Sequence, residues 1–116
     1  MNTLKIGVDG EKAACNFLKK KGYKILKRNY KKTYGEIDII AKVDNTITFV
    51  EVKTRANTEF GLACEAVTKS KQDKIIKTAY SYIKENNTDA DFSFDIIEVY
   101  HANGKVMKIE HIENAF

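Results

Sequence analysis

Residues 35–55 constrain the fold more than any other stretch, because two apolar, β-rich runs there flank a two-residue Asp44-Asn45 turn. A loop of that length and chemistry selects an antiparallel hairpin, with strands predicted over 35–42 and 46–54. In the resulting register Ile40 faces Phe49, Asp38 faces Glu51 and Glu36 faces Lys53. Strict alternation independently places Glu36, Asp38 and Ile40 on one face, with Ile47, Phe49, Glu51 and Lys53 on the same face of the partner strand. Two carboxylates opposite one another on a sheet repel, and burial makes the conflict worse. A divalent cation between them would remove it. Paired Cα atoms lie about 4.5–5.5 Å apart, so both side chains can reach one ion. The donors are hard oxygens with no His or Cys nearby, which points to Mg²⁺ or Mn²⁺. Lys53, two residues from Glu51 on the same face, would orient a water or stabilise charge on a phosphate. The competing reading is a surface hairpin laced with salt bridges; the Asp38–Glu51 clash and its apolar neighbours favour the metal.

At 116 residues the chain is expected to form a single domain spanning 1–116, built on one core. No run is long enough to span a bilayer and no signal-peptide pattern is present, so a cytoplasmic protein without a membrane partner is expected. Cys15 and Cys64 match no metal spacing and read as reduced thiols. His101 and His111 carry no motif and read as strand residues. The net charge of +4 is unevenly spread: eight basic residues and no acid lie between Lys19 and Lys32, whereas Glu85 to Glu98 holds five acids and no base. A basic block on a folded domain is an electrostatic footprint for polyphosphate, or else a solvated face.

The remaining elements follow from periodicity. Residues 3–21 predict a helix whose apolar stripe is Ile6, Gly10, Ala13, Ala14, Phe17 and Leu18, ended by Gly22. Residues 23–31 alternate as a strand, with Tyr23, Ile25, Lys27 and Asn29 on one face and Leu26, Arg28 and Tyr30 on the other. The polar stretch 56–61 begins at the charged end of the hairpin and reads as a mobile cover for the site. Leu62 to Val67 has room for a short helical turn. Arg55 is placed for a phosphate contact or for a rim salt bridge. A second helix runs from a Thr68 or Ser70 cap, the latter with Asp73 in a loose capping box, to about Asn86. Ile75, Ile76, Ala79, Tyr80 and Ile83 form its expected buried stripe. Lys69, Lys71 and Gln72 occupy its first turn. Cations there oppose the helix dipole, so a bound anion would account for them; a solvated charge cluster is the alternative. Strands over 92–100 and 105–112 meet at Asn103-Gly104. Asp95 stands among apolar residues and requires a partner.

An Asp on one strand followed by Glu-x-Lys on the next resembles the PD-(D/E)xK nuclease superfamily. The longer ordered set narrows the resemblance to the YraN-like bacterial family, similar to archaeal Holliday junction resolvases. That set comprises Gly7, Glu11, Ala14, Gly22-Tyr23, Asn29, Gly35-Glu36-Ile37-Asp38, Phe49 to Arg55, Val67 to Gln72, Phe94-Asp95 and Asn114-Ala115-Phe116. The resemblance covers essentially the whole chain. It departs at Ser93, where related sequences tend to have an Arg two positions before the Asp, and in the absence of any proline.

The resemblance implies an α/β fold with a restriction-endonuclease-like core, a mixed sheet in the order α-β-β-β-α-β-β. It implies a metal-dependent endonuclease that hydrolyses phosphodiester bonds of DNA, including branched or junction DNA. Asp38 and Glu51, with the Val52 carbonyl, would hold Mg²⁺ or Mn²⁺, and Lys53 would position the attacking water. Glu11 and Glu36 would help hold metal or water. Lys71 and Gln72 would support the site, and Arg55 and Lys69 would join them on the nucleic acid. A homodimer would present two sites to a branched substrate. The alternative is a non-cutting nucleic-acid-binding module in DNA repair, recombination or uptake; a scaffold with a merely solubilising basic face is a third reading.

Overall fold

The computed structural model describes residues 3–56 and 67–116, with the backbone alone for residues 3–8. The elements run α1 (Thr3–Lys20), β1 (Lys24–Lys32), β2 (Gly35–Val43), β3 (Thr46–Ala56), α2 (Lys69–Asn86), β4 (Asp91–Ala102) and β5 (Lys105–Ile112). This is the mixed α/β order read from the sequence, consistent with a small nuclease-like core. The strands lie in chain order in one sheet. Neighbours are antiparallel except β3 and β4, which run parallel from Thr46–Asp91 to Ala56–His101. A parallel pair needs a crossover, and α2 supplies it. The expected cover over 56–61 and turn over 62–67, with Cys64, fall almost wholly outside the described residues.

Local chemistry sets the element ends. Gly22, at φ 93°, donates its N–H to Lys19 O at 3.0 Å, and Tyr23 donates to Leu18 O at 3.0 Å. This paired closure is the left-handed stop that glycine provides to a helix. The Thr68 hydroxyl caps α2 by accepting from the Lys71 N–H at 3.2 Å. The expected Ser70–Asp73 box is replaced by a Lys69–Asp73 ion pair at 3.1 Å. Asn103 and Gly104 both take positive φ, as the β4–β5 two-residue turn requires.

Each sheet face carries its own core. On one side α1 packs Ala14, Cys15 and Leu18 against Tyr23, Ile39, Val50, Ile97 and Val99. On the other, α2 packs Ile75, Ala79 and Tyr82 against Tyr30, Ile37, Ile40, Phe49 and Ile96. Gly10 is needed where α1 crosses β3, because a Cβ there would lie 2.4 Å from Thr54 Oγ1.

Two further expectations are overturned. The buried stripe of α2 is Ile75, Thr78, Ala79 and Tyr82, and Tyr80 is 67% exposed. The Tyr82 ring turns inward onto Tyr30 and Phe49, edge to face with both, which rotates the stripe away from Tyr80. Alternation also fails in β1 and β2. Ile37 and Ile39 are two apart yet join opposite cores, and Tyr30 faces α2 while Arg28 lies beside Glu11 and Cys15 of α1. Asn29, at φ 52° in the middle of β1, reverses the pleat there.

Candidate active site

β2 and β3 pair in the expected register from Val43–Thr46 to Ile39–Val50, and there the ladder ends. Asp38 and Glu51 are therefore not direct ladder partners, and neither are Glu36 and Lys53. Asp38 Oδ2 instead accepts the Val52 N–H at 2.8 Å. The carboxylate thus stands in for the missing cross-strand carbonyl and props open a fork between the strands. Glu51 reaches into the same fork, within hydrogen-bonding reach of Asp38. The two acids are only 9% and 8% exposed. Burial pushes the Asp38 carboxyl up to about 7, and the Glu51 charge adds to the rise; the Val52 N–H pulls the other way and is outweighed. A pair in this condition takes up a proton or a cation near neutral pH.

Glu11 enters from α1. Burial raises its carboxyl, and the charges of Asp38 and Glu36 raise it further. Glu36 is exposed on the fork's outer side and lies 3.7 Å from Lys31 in a loose ion pair. Lys53, on the strand of Glu51, is exposed and has no ion pair among the described residues. It presents an ammonium to solvent two residues beyond Glu51 on β3.

The four residues expected on nucleic acid are placed differently from one another. Lys71 Nζ lies 3.0 Å from Glu51 Oε1, so this lysine already counters the site's own charge. Lys69 points outward onto Asp73. The Gln72 amide donates to Val67 O at 3.1 Å and fixes the segment entering α2. Arg55 Nε lies 2.6 Å from Glu98 Oε2, and the two side chains are 13% and 1% exposed. The pair is close but not aligned as a hydrogen bond. The rim salt bridge is therefore the reading that holds for Arg55, and it is largely buried. Glu98, which also accepts from the Tyr100 hydroxyl at 2.9 Å, is a residue that sequence reasoning passed over. Its signal was a lone acid inside Ile96-Ile97-Glu98-Val99.

The donor set suits a hard divalent cation: carboxylate oxygens of Asp38 and Glu51, with the Val52 carbonyl adjacent, and a burial conflict that such a charge resolves. A different cluster lies on the α1 face, where Asp95, His111 and Glu113 bring ligand atoms within 4.8 Å of one another. Its hydrogen bonds describe a clasp. His111 Nδ1 lies 2.7 Å from Lys21 Nζ, which can only donate, so Nε2 carries the ring proton and donates to Asp95 Oδ2 at 2.7 Å. The Ser93 hydroxyl and the Asn114 N–H both donate to Asp95 Oδ1. His111 and Ser93 are thus the partners that Asp95 requires, in place of an Arg.

A five-stranded mixed sheet between two helices, forking at two buried carboxylates, is a mixed α/β domain consistent with a small nuclease-like core. The chain belongs to the uncharacterised protein family UPF0102, whose family model matches residues 10–99. That span takes in Glu11, Glu36, Asp38, Glu51, Lys53, Lys71 and Glu98. The chain is 50% identical over 117 residues to a UPF0102 protein of Clostridioides difficile, covering 100% of both chains. It is 50% identical over 119 residues to a UPF0102 protein of Caldanaerobacter subterraneus, covering 100% of this chain and 98% of the relative. A UPF0102 protein of Caldicellulosiruptor saccharolyticus is 44% identical over 118 residues, again over 100% of both chains. No helix among the described residues is long and apolar enough to cross a membrane.

Proposed function

We propose that this domain is a YraN-like, metal-dependent endonuclease of the PD-(D/E)xK type, acting in the cytoplasm on the phosphodiester bonds of DNA, with branched DNA as the favoured form. The observation that carries the reading is the Asp38–Glu51 pair, buried at a strand fork and left with fewer donors than its charge requires. Asp38 and Glu51 would hold Mg²⁺ or Mn²⁺, with the Val52 carbonyl completing the protein's share. The bound ion would lower the pKa of its water and screen the scissile phosphate. Lys53 would hold the attacking water in line by donating to its oxygen. Glu11, its carboxyl already biased toward the protonated form, would accept or return a proton at the rim. Lys71, released from Glu51, would turn its ammonium toward the phosphate. Cutting two strands of a junction would need two such sites, hence a homodimer.

A non-cutting nucleic-acid-binding module is the second reading. It is favoured by one observation, the ion pair by which Lys71 already neutralises Glu51. A cleavage panel in Mg²⁺ and Mn²⁺ separates the two. Its substrates are single strands, duplex, flaps and a four-way junction, with Asp38→Ala and Lys53→Ala prepared identically. Metal-dependent cutting that both variants lose is expected. Equal activity in all three proteins would mean a contaminant, and no cutting with salt-sensitive binding would leave the module.

A further inference from the structure

Two open clefts adjoin the carboxylate fork. One, of about 300 Å³, lies at the start of α2 between Gly35, Glu36, Thr68, Ser70, Lys71 and Lys74. The other, of about 380 Å³, continues along the β1–β2 turn past Lys31, Lys32 and Tyr34. Gly35, Glu36 and Lys74 line both, so the clefts form one groove between the hairpin and α2.

The groove is built rather than incidental. A Cβ on Gly35 would lie 2.7 Å from Thr78 Oγ1 and 3.1 Å from Lys74 O, so the hairpin can approach α2 this closely only through a glycine. The Tyr34 hydroxyl is hydrogen-bonded to Ser81, and Lys77 Nζ lies 4.7 Å above the Tyr34 ring, which pins the far wall. Four lysines and one acid line the groove. Three of those lysines are engaged: Lys31 with Glu36, Lys32 with Glu85 at 2.8 Å and Lys71 with Glu51. Lys74, exposed where the clefts join, has no ion pair among the described residues. A concave surface with surplus cations draws in a polyanion. At about 300 and 380 Å³ the clefts sit at the lower end of the range for small-molecule pockets, roughly 300–1,000 Å³. An unpaired strand can enter such a groove, whereas a duplex, its bases turned inward, can touch only the rim.

We infer that this groove carries a single-stranded arm of nucleic acid to the fork, with Lys74 and Lys31 on its phosphates. The inference rests on the proposed reaction only for what lies at the groove's end. It assigns the phosphate contacts to Lys74 and Lys31, whereas Arg55 and Gln72 are tied down within the fold.

The test is fluorescence anisotropy of a labelled single-stranded oligonucleotide, titrated with salt in EDTA so that no metal chemistry intervenes. Lys31→Gln/Lys74→Gln is compared with Lys105→Gln/Lys108→Gln on β5; all four side chains are exposed, and circular dichroism verifies the fold. Each single-strand phosphate contact contributes about 0.7 to the log–log salt slope. The groove variant should therefore show a slope shallower by about 1.4 and a roughly twentyfold weaker affinity at about 0.1 M salt. The β5 variant should bind as wild type does. Equal losses in both variants, no loss in the groove variant, or an equal loss of duplex binding would each overturn the inference. Cleavage is scored separately. A wild type that binds through the groove without cutting keeps the groove and removes the reaction; one that cuts with the groove variant unimpaired removes the groove alone.

Discussion

Asp38 and Asp95 are both aspartates buried in the same sheet, and they have opposite electrostatics. Asp95 is 1% exposed and receives three donors: His111 Nε2, the Ser93 hydroxyl and the Asn114 N–H. Burial pushes its carboxyl up, yet those donors outweigh burial and leave it below the ordinary aspartate value. Asp38 has the Val52 N–H and, facing it, a second acid, so the same burial wins and its carboxyl rises to about 7. Depth alone therefore does not mark a functional acid. A buried acid whose donors suffice ties the fold together. One whose donors fall short holds free energy that a cation can release.

The strongest way to break this comparison is to exchange the consequences. Asp95→Ala leaves the His111 N–H and the Asn114 N–H without their acceptor, while the Ser93 hydroxyl keeps Asn114 Oδ1 at 3.0 Å, and should cost about 3 kcal/mol in urea unfolding. A loss under about 0.5 kcal/mol would show that the clasp contributes nothing beyond an ordinary surface position. Asp38→Asn should act in the other direction, because it removes a charge and keeps an oxygen for the Val52 N–H. At pH 7 without divalent cations it should stabilise the protein by about 2 kcal/mol, taking the one-unit equivalence of 1.36 kcal/mol and discounting for water that reaches the fork. The pH dependence carries a definite sign. With the folded value raised, the native state binds more protons than the unfolded chain between about pH 4 and pH 7. Wild-type stability contributed by this group therefore falls as pH rises through that window, and the advantage of Asp38→Asn should vanish near pH 4. An advantage independent of pH would mean that repacking, not charge, is responsible.

Metal addition sharpens the same contrast at a smaller scale. At ten times its dissociation constant, Mg²⁺ should raise the stability of the wild type by about 1.4 kcal/mol. Asp38→Asn should not respond, and Asp95→Ala should respond in full from its lower baseline. Lys71→Gln removes the ammonium that sits on Glu51, so the same thermal shift should be reached at a lower Mg²⁺ concentration. A response lost in Asp95→Ala but kept in Asp38→Asn would assign the ion to the other face.

Much of this could be read along the chain, because hairpin register and turn chemistry are local. The Asp44-Asn45 and Asn103-Gly104 turns fixed two of the three antiparallel pairs, and with them the meeting of Asp38 and Glu51. What could not be read depends on groups distant in sequence. Asp95 meets His111 only because β5 folds back beside β4, and neither residue has a local motif. The sequence left Arg55 between a phosphate contact and a salt bridge because its partner Glu98 lies on the neighbouring parallel strand, reached through a crossover helix. Tyr80 and Tyr82 are equally apolar in composition, and only the rings of Tyr30 and Phe49 decide which one turns inward. The end of the ladder at Ile39–Val50 was hidden for another reason: alternation assumes an uninterrupted pleat.

That interruption can be tested on its own, with the smallest expected effect. Asn29 holds φ 52° in the strand beside Asp38's, and Asn accepts this left-handed geometry at lower cost than other side chains. Asn29→Gly should change global stability by less than about 0.5 kcal/mol, since glycine adopts the same φ freely. Asn29→Ala should cost about 1 kcal/mol, the penalty for a left-handed residue with a bare Cβ. The more informative readout is where the loss is felt. If the reversal at Asn29 shapes the fork, Asn29→Ala should weaken Mg²⁺ stabilisation while amide exchange at Asn114, whose N–H is held by Asp95, stays at the wild-type free energy of local opening. Loss of protection at Asn114 with an unchanged Mg²⁺ response would mean that the pleat reversal serves the sheet as a whole. The fork would then owe its geometry to Asp38 and the Val52 N–H alone.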